Sequence, residues 1–395
     1  MSTNRFVFPV VMEILARPKK DTTMTTQEEW WLINNIEELD SPALVIFPER
    51  VKENIRILIS MVDSVDRLRP HAKTHKSIEC TRLLMEAGIH KFKCATIAEA
   101  EMLALSKAKD VLLAYQPVGP KLRRFVSLIK KYQETKFSCL TDNWEAATQM
   151  AKLFAGNGLT IEVYLDLNTG QNRTGIVPGD SAVQLYLDCS LLKGLKPVGL
   201  HSYDGHIRDL DINIRKQRCD EAFAEVEKMQ NVLQQKGFAD PIIIAGGSPT
   251  FSIHSKRKKI ECSPGTFIFW DKNYSDLCPE QPFLPAALVI SRVISIQEEG
   301  KLCLDLGHKA VAAENELTKR VWFLNAPEWK AVGQSEEHLV VETNSGQLSK
   351  IGDVKYGLPF HICPTVALYE RAYTVTNHIV KGEWNIIARD RKINL

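Results

Sequence analysis

The sequence has little net charge and no long hydrophobic run. No segment of its 395 residues has about 18 uninterrupted apolar residues, so no transmembrane helix and no membrane association is predicted. The 50 lysines and arginines are balanced by 48 acidic residues, and the net charge of +2 gives no general attraction to nucleic acid. Any site for an anion must therefore be local.

The sequence also lacks a C-x-x-C pair. Its nine cysteines are odd in number, and most lie in apolar strand or helix patterns, as buried free thiols do. Near the start, FVFPVVMEILA is interrupted by Pro9 and Glu13 and does not resemble a cleavable signal peptide. These features predict a reducing compartment, the cytoplasm.

Short apolar runs alternate with helical patterns through most of the chain. PALVIF, DVLLAYQP and PIIIAGG are strand candidates, with helical patterns between the runs. About eight such units favour a (β/α)₈ barrel of the TIM type over an open sheet. From residue 285 the runs follow one another with little helix between them, which predicts a mostly antiparallel C-terminal β domain, with KGE as one of its turns.

The predicted division of the chain has three parts. Residues 1–26 form an N-terminal extension, residues 27–284 the barrel and residues 285–395 the β domain. The first barrel residues may instead join the β domain. No internal repeat or low-complexity tract interrupts this order.

The stretch LRPHAKTHKS, residues 68–77, concentrates cationic groups where a strand meets a helix. Lys73 falls at the carboxyl end of an early barrel strand, where barrel enzymes carry out their chemistry. Neighbouring cations disfavour an ammonium and so activate a lysine as a nucleophile. Strand alternation would place Arg69, His71 and His75 on the same face as Lys73. A solvated basic loop is the alternative interpretation.

Two glycine-bearing turns follow the last two barrel strands. AGGSPT contains Gly246, Gly247 and Ser248, and SPGTF contains Gly265 and Thr266. Glycines allow backbone N–H groups to approach an anion, and barrel phosphate sites often form after the last strands. A lysine nucleophile beside a phosphate site is typical of either a sugar-phosphate aldolase or a pyridoxal phosphate enzyme.

Three further segments favour the second interpretation. DLNTGQNRTG carries Arg173, which could contact the cofactor's phenolic oxygen if it is buried; an arginine on a surface turn is the alternative. GLHSYDGH places His201 and Tyr203 on one face. In LPFHICPT, His361 and Cys363 are two residues apart, so an extended backbone would aim both side chains the same way. Imidazole with thiolate favours zinc.

The motifs RPHAKTHK, DLNTGQNRTG, GLHSYDGH, GGSPT, DLGHKA, SEEH and HICP, in this order, resemble the D-threonine aldolase and D-serine dehydratase family over roughly residues 27–395. These are fold-type III pyridoxal phosphate enzymes with an alanine racemase-like barrel. The resemblance implies that Lys73 holds the cofactor covalently, with Arg173 and Tyr203 beside it. It implies phosphate binding by the two turns and a divalent metal, zinc before manganese or magnesium, on His361 and Cys363.

The resemblance implies a lyase acting on small D-β-hydroxy amino acids and predicts a homodimer. Its reaction is either retro-aldol cleavage to glycine and an aldehyde or dehydration to a keto acid and ammonia. Candidate bases are His71, His201 and His338. An amino-acid racemase is the alternative; a non-catalytic carrier is disfavoured by the β domain, and a nucleic-acid binder by the low net charge.

Overall fold

Two β-sheets organise the chain, one parallel and one mostly antiparallel. The computed structural model describes residues 29–298, 300–343 and 349–395, so the predicted extension over residues 1–26 lies outside the described residues. The strands are β1 (Ala43–Ile46), β2 (Lys91–Cys94), β3 (Asp110–Leu113), β4 (Lys136–Thr141), β5 (Ile161–Leu167), β6 (Leu195–Ser202), β7 (Ile242–Ala245), β8 (Ile260–Cys262), β9 (Ala287–Glu298), β10 (Lys301–Leu304), β11 (Val321–Phe323), β12 (Lys330–Gln334), β13 (Leu339–Glu342), β14 (Val354–Pro359), β15 (Arg371–Thr376) and β16 (Ile379–Asn385).

The helices mostly follow the barrel strands. They are α1 (Pro48–Ser60), α2 (Ile78–Glu86), α3 (Ile97–Leu105), α4 (Pro120–Lys131), α5 (Trp144–Gly156), α6 (Asp180–Leu191), α7 (Ile212–Gln235), α8 (Phe251–His254), α9 (Lys272–Leu277) and α10 (Ile362–Leu368). Several begin at a side-chain cap: the hydroxyls of Ser77 and Thr96 accept from the backbone N–H groups of Cys80 and Glu99. None of the described helices is long and apolar enough to span a membrane.

Seven parallel strands form the first sheet in the order β2 to β8. The segment 68–72 takes the eighth place: Arg69 N donates to Cys262 O at 2.9 Å on one side, and Ala72 N donates to Lys93 O at 2.8 Å on the other. Pro70 has no N–H to give to a ladder, so this segment is not a regular strand. The predicted (β/α)₈ barrel is confirmed, with one irregular member.

The barrel interior has a small apolar layer of its own. Leu112, Leu140, Tyr164 and Ile244, from four different strands, pack together and are buried. The larger core lies between the strands and the surrounding helices. The inner layer fills the barrel below its mouth, as expected when alternate side chains of each strand point inward.

The second sheet has the order β12-β13-β10-β9-β1-β15-β16, with β14 and β11 branching from β9. The strand β1, from the start of the described chain, pairs antiparallel with β9 and parallel with β15. All other pairs in this sheet are antiparallel, so the predicted mostly antiparallel β domain is confirmed.

The predicted turn at KGE is wrong. KGE lies inside β16, and the chain reverses at Asn377 and His378, whose φ angles are 50° and 61°. Two consecutive positive φ angles are those of the type I′ hairpin, whose twist matches the twist of the strands. Asparagine tolerates this conformation well, which explains why the reversal occurs there.

Candidate active site

A cavity of about 640 Å³ opens at the carboxyl ends of the barrel strands. Most of its polar lining comes from the first half of the barrel and from the ends of β5 and β6. The residues that bear on the chemistry are His71, Lys73, Lys93, Asp166, Arg173, His201 and Tyr203.

Lys73 lies in the turn that follows the irregular eighth segment, and its side chain is half-buried. Its ammonium makes no ion pair or hydrogen bond with any described residue, while its backbone N–H donates to His71 Nδ1 at 3.2 Å. The last barrel turn packs against this loop: a Cβ on Gly265 would lie 3.1 Å from His71 Cβ. The predicted lysine is therefore at the mouth, beside one of the predicted phosphate turns.

The rest of the basic stretch does not surround Lys73 with cations. Arg69 is buried and forms ion pairs with Asp110 at 2.6 Å and with Glu261 at 2.7 Å. Burial lowers the pKa of His75 to about 3, so this imidazole is neutral, and Lys76 pairs with Glu99. The single face predicted from strand alternation is wrong because residues 72–75 form a turn.

Lys93, on β2, is the cation that sequence reasoning missed. It is 2% exposed, and its Nζ donates to Ser263 Oγ at 2.5 Å and lies 3.5 Å from His201 Nε2. Burial, and next the positive charge of Lys73, lower the pKa of Lys93 to about 7. The hint was available in KFKC, where alternation puts Lys91 and Lys93 on the same face of a barrel strand.

His201 is held by a carboxylate. Its Nδ1 lies 2.7 Å from Asp166 Oδ1, and both side chains are buried. Burial lowers the pKa of His201, although the hydrogen bond to Asp166 opposes this. Burial alone would raise the pKa of Asp166, but the hydrogen bond and charge of His201, together with Thr174 and the charge of Lys93, lower it. The arrangement is a neutral imidazole that donates from Nδ1 and presents Nε2 as an acceptor towards Lys93.

His71 is the second neutral imidazole of the cavity. Burial, and then the positive charges of Lys73 and Lys93, hold the pKa of His71 well below its usual range. Two of the three predicted bases are thus inside the cavity and able to accept a proton. His338 is exposed, and its carbonyl accepts from Ser335 N at the turn between β12 and β13. Within this chain the structure does not bring His338 to Lys73.

Tyr203 and Arg173 lie together on one side of the cavity. The guanidinium of Arg173 is 5.1 Å from the centroid of the Tyr203 ring. Of the two alternatives for Arg173, the structure shows the exposed one: the Gly/Asn-rich turn leaves it at the rim of the cavity. Only glycine leaves room for the Tyr203 ring at position 247, because a Cβ on Gly247 would lie 2.8 Å from Tyr203 Cε2.

The two glycine turns follow the neighbouring strands β7 and β8, and they lie against each other at the same end of the barrel. Ser248 Oγ accepts from Thr266 N at 3.1 Å and from Gly265 N at 3.4 Å. Gly246 has a φ of 78°, and a Cβ there would lie 2.7 Å from the ring of His254. Backbone donors gathered around one hydroxyl form the kind of cradle that takes a phosphate group.

A buried polar cluster behind the first of these turns was not predicted. Asp204 accepts from Thr250 Oγ1 at 2.6 Å and lies 2.8 Å from His254 Nε2, with Cys219 Sγ 3.3 Å from the same nitrogen. The Asp, Cys and His atoms are close enough to share a metal ion. The three groups already contact one another through His254 Nε2, whereas His254 Nδ1 has no hydrogen-bond partner among the described residues, and the cluster packs behind the turn.

His361 and Cys363 meet, although not through an extended backbone. His361 is the N-cap of α10 and Cys363 lies in its first turn, so the predicted strand geometry is wrong. Burial alone would lower the pKa of His361, but the hydrogen bond with Cys363 raises it to about 9; that same bond, with the charge of Lys73, overcomes burial and lowers the pKa of Cys363. His361 Nδ1 also bonds Glu314, and Cys363 Sγ lies 3.1 Å from Thr74 Oγ1.

The structure combines a barrel cavity lined by Lys73, a glycine turn at Gly265 that packs against the loop of Lys73, and an imidazole–thiol pair that contacts Thr74 in the same loop. Residues 46–272 match the family model for the alanine racemase N-terminal domain, and residues 286–375 match a putative serine dehydratase domain. The chain therefore belongs to the alanine racemase-like barrel family, and within it to the D-threonine aldolase and D-serine dehydratase family of fold-type III pyridoxal phosphate-dependent lyases. The family predicted from the motifs is confirmed.

The similar proteins include aldolases and dehydratases. D-threonine aldolase from Arthrobacter is 25% identical over 89% of this chain and 93% of its own length. D-threo-3-hydroxyaspartate dehydratase from Delftia is 27% identical over 70% of this chain and 73% of its own length. The crystal structure of D-threonine aldolase from Filomicrobium marinum has a TM-score of 0.83 at 26% identity, covering 89% of this chain and 96% of that one.

Proposed function

We propose that this chain is a pyridoxal phosphate- and divalent-metal-dependent lyase acting on D-β-hydroxy amino acids. The observation that carries the proposal is the contact between Thr74, next to the cofactor lysine, and Cys363, 3.1 Å apart. This contact places an imidazole–thiol pair beside Lys73. A racemase has no use for such a pair.

The residues present fit the cofactor. Lys73 would hold it covalently, the turns at Ser248 and Thr266 would bind its phosphate, and Tyr203 with Arg173 would flank it. The fit rests on the backbone N–H groups that converge on Ser248 Oγ and on an ammonium with no described partner. When bound, pyridoxal phosphate supplies an electron sink for a bond broken at Cα.

The residues also fit a metal ion. Imidazole and thiolate are ligands that favour zinc over magnesium, and the lowered pKa of Cys363 favours the thiolate. A bound ion would supply Lewis-acid chemistry at the substrate's β-hydroxyl. A cysteine-to-alanine variant of the similar D-threo-3-hydroxyaspartate dehydratase has been solved in a metal-free form.

The chain's own groups can move the protons of either reaction. In retro-aldol cleavage, His71 or His201 accepts the proton of the β-hydroxyl, since both imidazoles are neutral at pH 7. In dehydration, the amine of Lys73 takes the Cα proton while the hydroxyl departs. The HICP motif resembles the D-serine dehydratase pattern more than the H-C-D-P of many D-threonine aldolases, and for this reason we favour dehydration.

A racemase would require a second base facing Lys73. Among the residues that the structure describes, no tyrosine of the β domain lines the cavity. Tyr369 is buried and donates to Ala310 O at 2.7 Å. What favours the lyase is the imidazole–thiol pair of His361 and Cys363, which a racemase does not need.

The test is a product assay on purified protein given D-threonine and D-serine separately, before and after treatment with a chelator. Keto acid and ammonia, lost on chelation and restored by zinc, is the expected result. Glycine and acetaldehyde from D-threonine would identify the aldolase instead. Interconversion of D- and L-alanine without either product would contradict the lyase and favour the racemase.

A further inference from the structure

The floor of the cavity contains a second lysine that has no carboxylate partner among the described residues. Lys93 Nζ is held by Ser263 Oγ at 2.5 Å and faces His201 Nε2 at 3.5 Å, and Ser263 in turn donates to Gly246 O at 3.0 Å. A buried ammonium without a counterion is costly, so proteins seldom keep one for structure alone. Lys91, two residues earlier on the same strand, shows the structural alternative: it forms an ion pair with Glu261 at 2.6 Å.

The surroundings of Lys93 carry charges of both signs. Burial is the main cause that lowers its pKa to about 7, and the next is the positive charge of Lys73. An anionic ligand in the cavity would favour the charged form. The titratable or charged groups that act on or face Lys93 are Lys73, Asp166, Asp204, Arg69, His71 and His201.

We propose that Lys93 is a cofactor-contacting residue, whose ammonium, held by Ser263 and His201, supplies the positive charge at the floor of the cavity that draws electron density through the cofactor ring. The inference rests on the proposed cofactor site. It follows from position: Lys73 and Lys93 line the same cavity, and Ser263 precedes the turn of Gly265 and Thr266 that would bind the phosphate.

The experiment compares Lys93→Met with Lys91→Met, a lysine on the same strand with a carboxylate partner. In Lys93→Met we expect the visible absorption band to remain, because Lys73 is intact, with its maximum and pH response changed. The kcat should fall by about 10²-fold, as when a preorganised charge is removed. Lys91→Met should keep the spectrum and kcat of the unmodified protein.

Lys93→Arg separates charge from packing. A guanidinium remains charged at high pH, so this variant should recover part of kcat and move the alkaline fall of activity to higher pH. Ser263→Ala, a smaller change, should shift the band and its pH response in the same direction as Lys93→Met. It serves as the test if Lys93→Met does not fold.

A spectrum, pH response and kcat equal to the unmodified protein's in Lys93→Met, or in Ser263→Ala where that variant replaces it, would overturn the inference. So would a Lys93→Arg variant no better than Lys93→Met. If the unmodified protein binds pyridoxal phosphate without any visible band, the proposed function fails at its first step. That outcome is distinct from failure of Lys93 alone.

Discussion

The mouth of the barrel and the opposite end, here called the foot, each contain two basic side chains from the same two segments of the chain. The two pairs differ in whether a carboxylate neutralises them. At the foot, Arg69 and Lys91 are neutralised by Glu261, with Asp110 as a further partner of Arg69. At the mouth, Lys73 and Lys93 have no carboxylate partner among the described residues. A buried cation with a counterion stabilises the barrel, whereas one without a counterion is available for an anionic ligand.

The largest effect is expected at Lys73. Lys73→Ala should remove the visible band and lower activity by about 10⁴-fold or more, as loss of a covalent catalytic group does. The free energy of unfolding should change little, because the ammonium has no described partner to lose. An unchanged absorption spectrum would show that another group holds the cofactor.

At Arg69 we expect a loss of stability with little loss of activity, the reverse of the result expected at Lys73. Arg69→Met leaves Glu261 buried without its main partner and should lower the free energy of unfolding by about 3–5 kcal/mol, measured by urea denaturation. The activity per folded molecule should be retained. Combining it with Glu261→Gln should recover part of the stability, and no recovery would mean that the loss comes from packing.

At the metal pair, Cys363→Ala should weaken metal binding by about 10–100-fold, and Cys363→Asp should retain more of it because a carboxylate oxygen can replace the thiolate. Metal content by elemental analysis and activity at limiting zinc are the measurements. Cys303→Ala, at a buried thiol on β10, is the matched control. Equal metal content in all three variants would place the metal elsewhere.

The effect that is smallest near neutral pH concerns acid stability. The pKa of His75 is about 3 in the folded protein against a usual value of 6.5, so its contribution is fully present above pH 6.5 and is lost as pH falls towards 3. Over that window the free energy of unfolding should fall by about 1.4 kcal/mol per pH unit for this one group. His75→Asn, which cannot titrate, should reduce the slope, and an unchanged slope would exclude His75 as its source.

The features that could be predicted from the sequence are those that depend on periodicity and on position along a strand. The barrel, the β domain, Lys73 at the mouth and the convergence of the turns at Gly246 and Gly265 all depend on local patterns that repeat. The pairing of the cations could not be predicted in this way. Glu261 lies 192 residues from Arg69 in sequence, and only the folded barrel shows that it neutralises this arginine and leaves Lys73 alone.

Other errors have equally physical causes. Lys93 was missed because Lys91 and Lys93 alternate on one short strand, as the polar face of an exposed strand would, until the barrel closes around Lys93. His338 lies on an exposed turn of this chain, and its role as a base stays a prediction. His361 and Cys363 were expected on a strand, but α10 begins between them and brings the same pair together by helical geometry.

The most direct test is to reduce the cofactor-loaded protein with borohydride and to map the modified peptide by mass spectrometry. The cofactor should be found on Lys73, the unpaired lysine at the mouth. Modification at Lys93 instead would reverse the roles of the two lysines. No modified lysine at all would contradict the assignment of this cavity as a pyridoxal phosphate site.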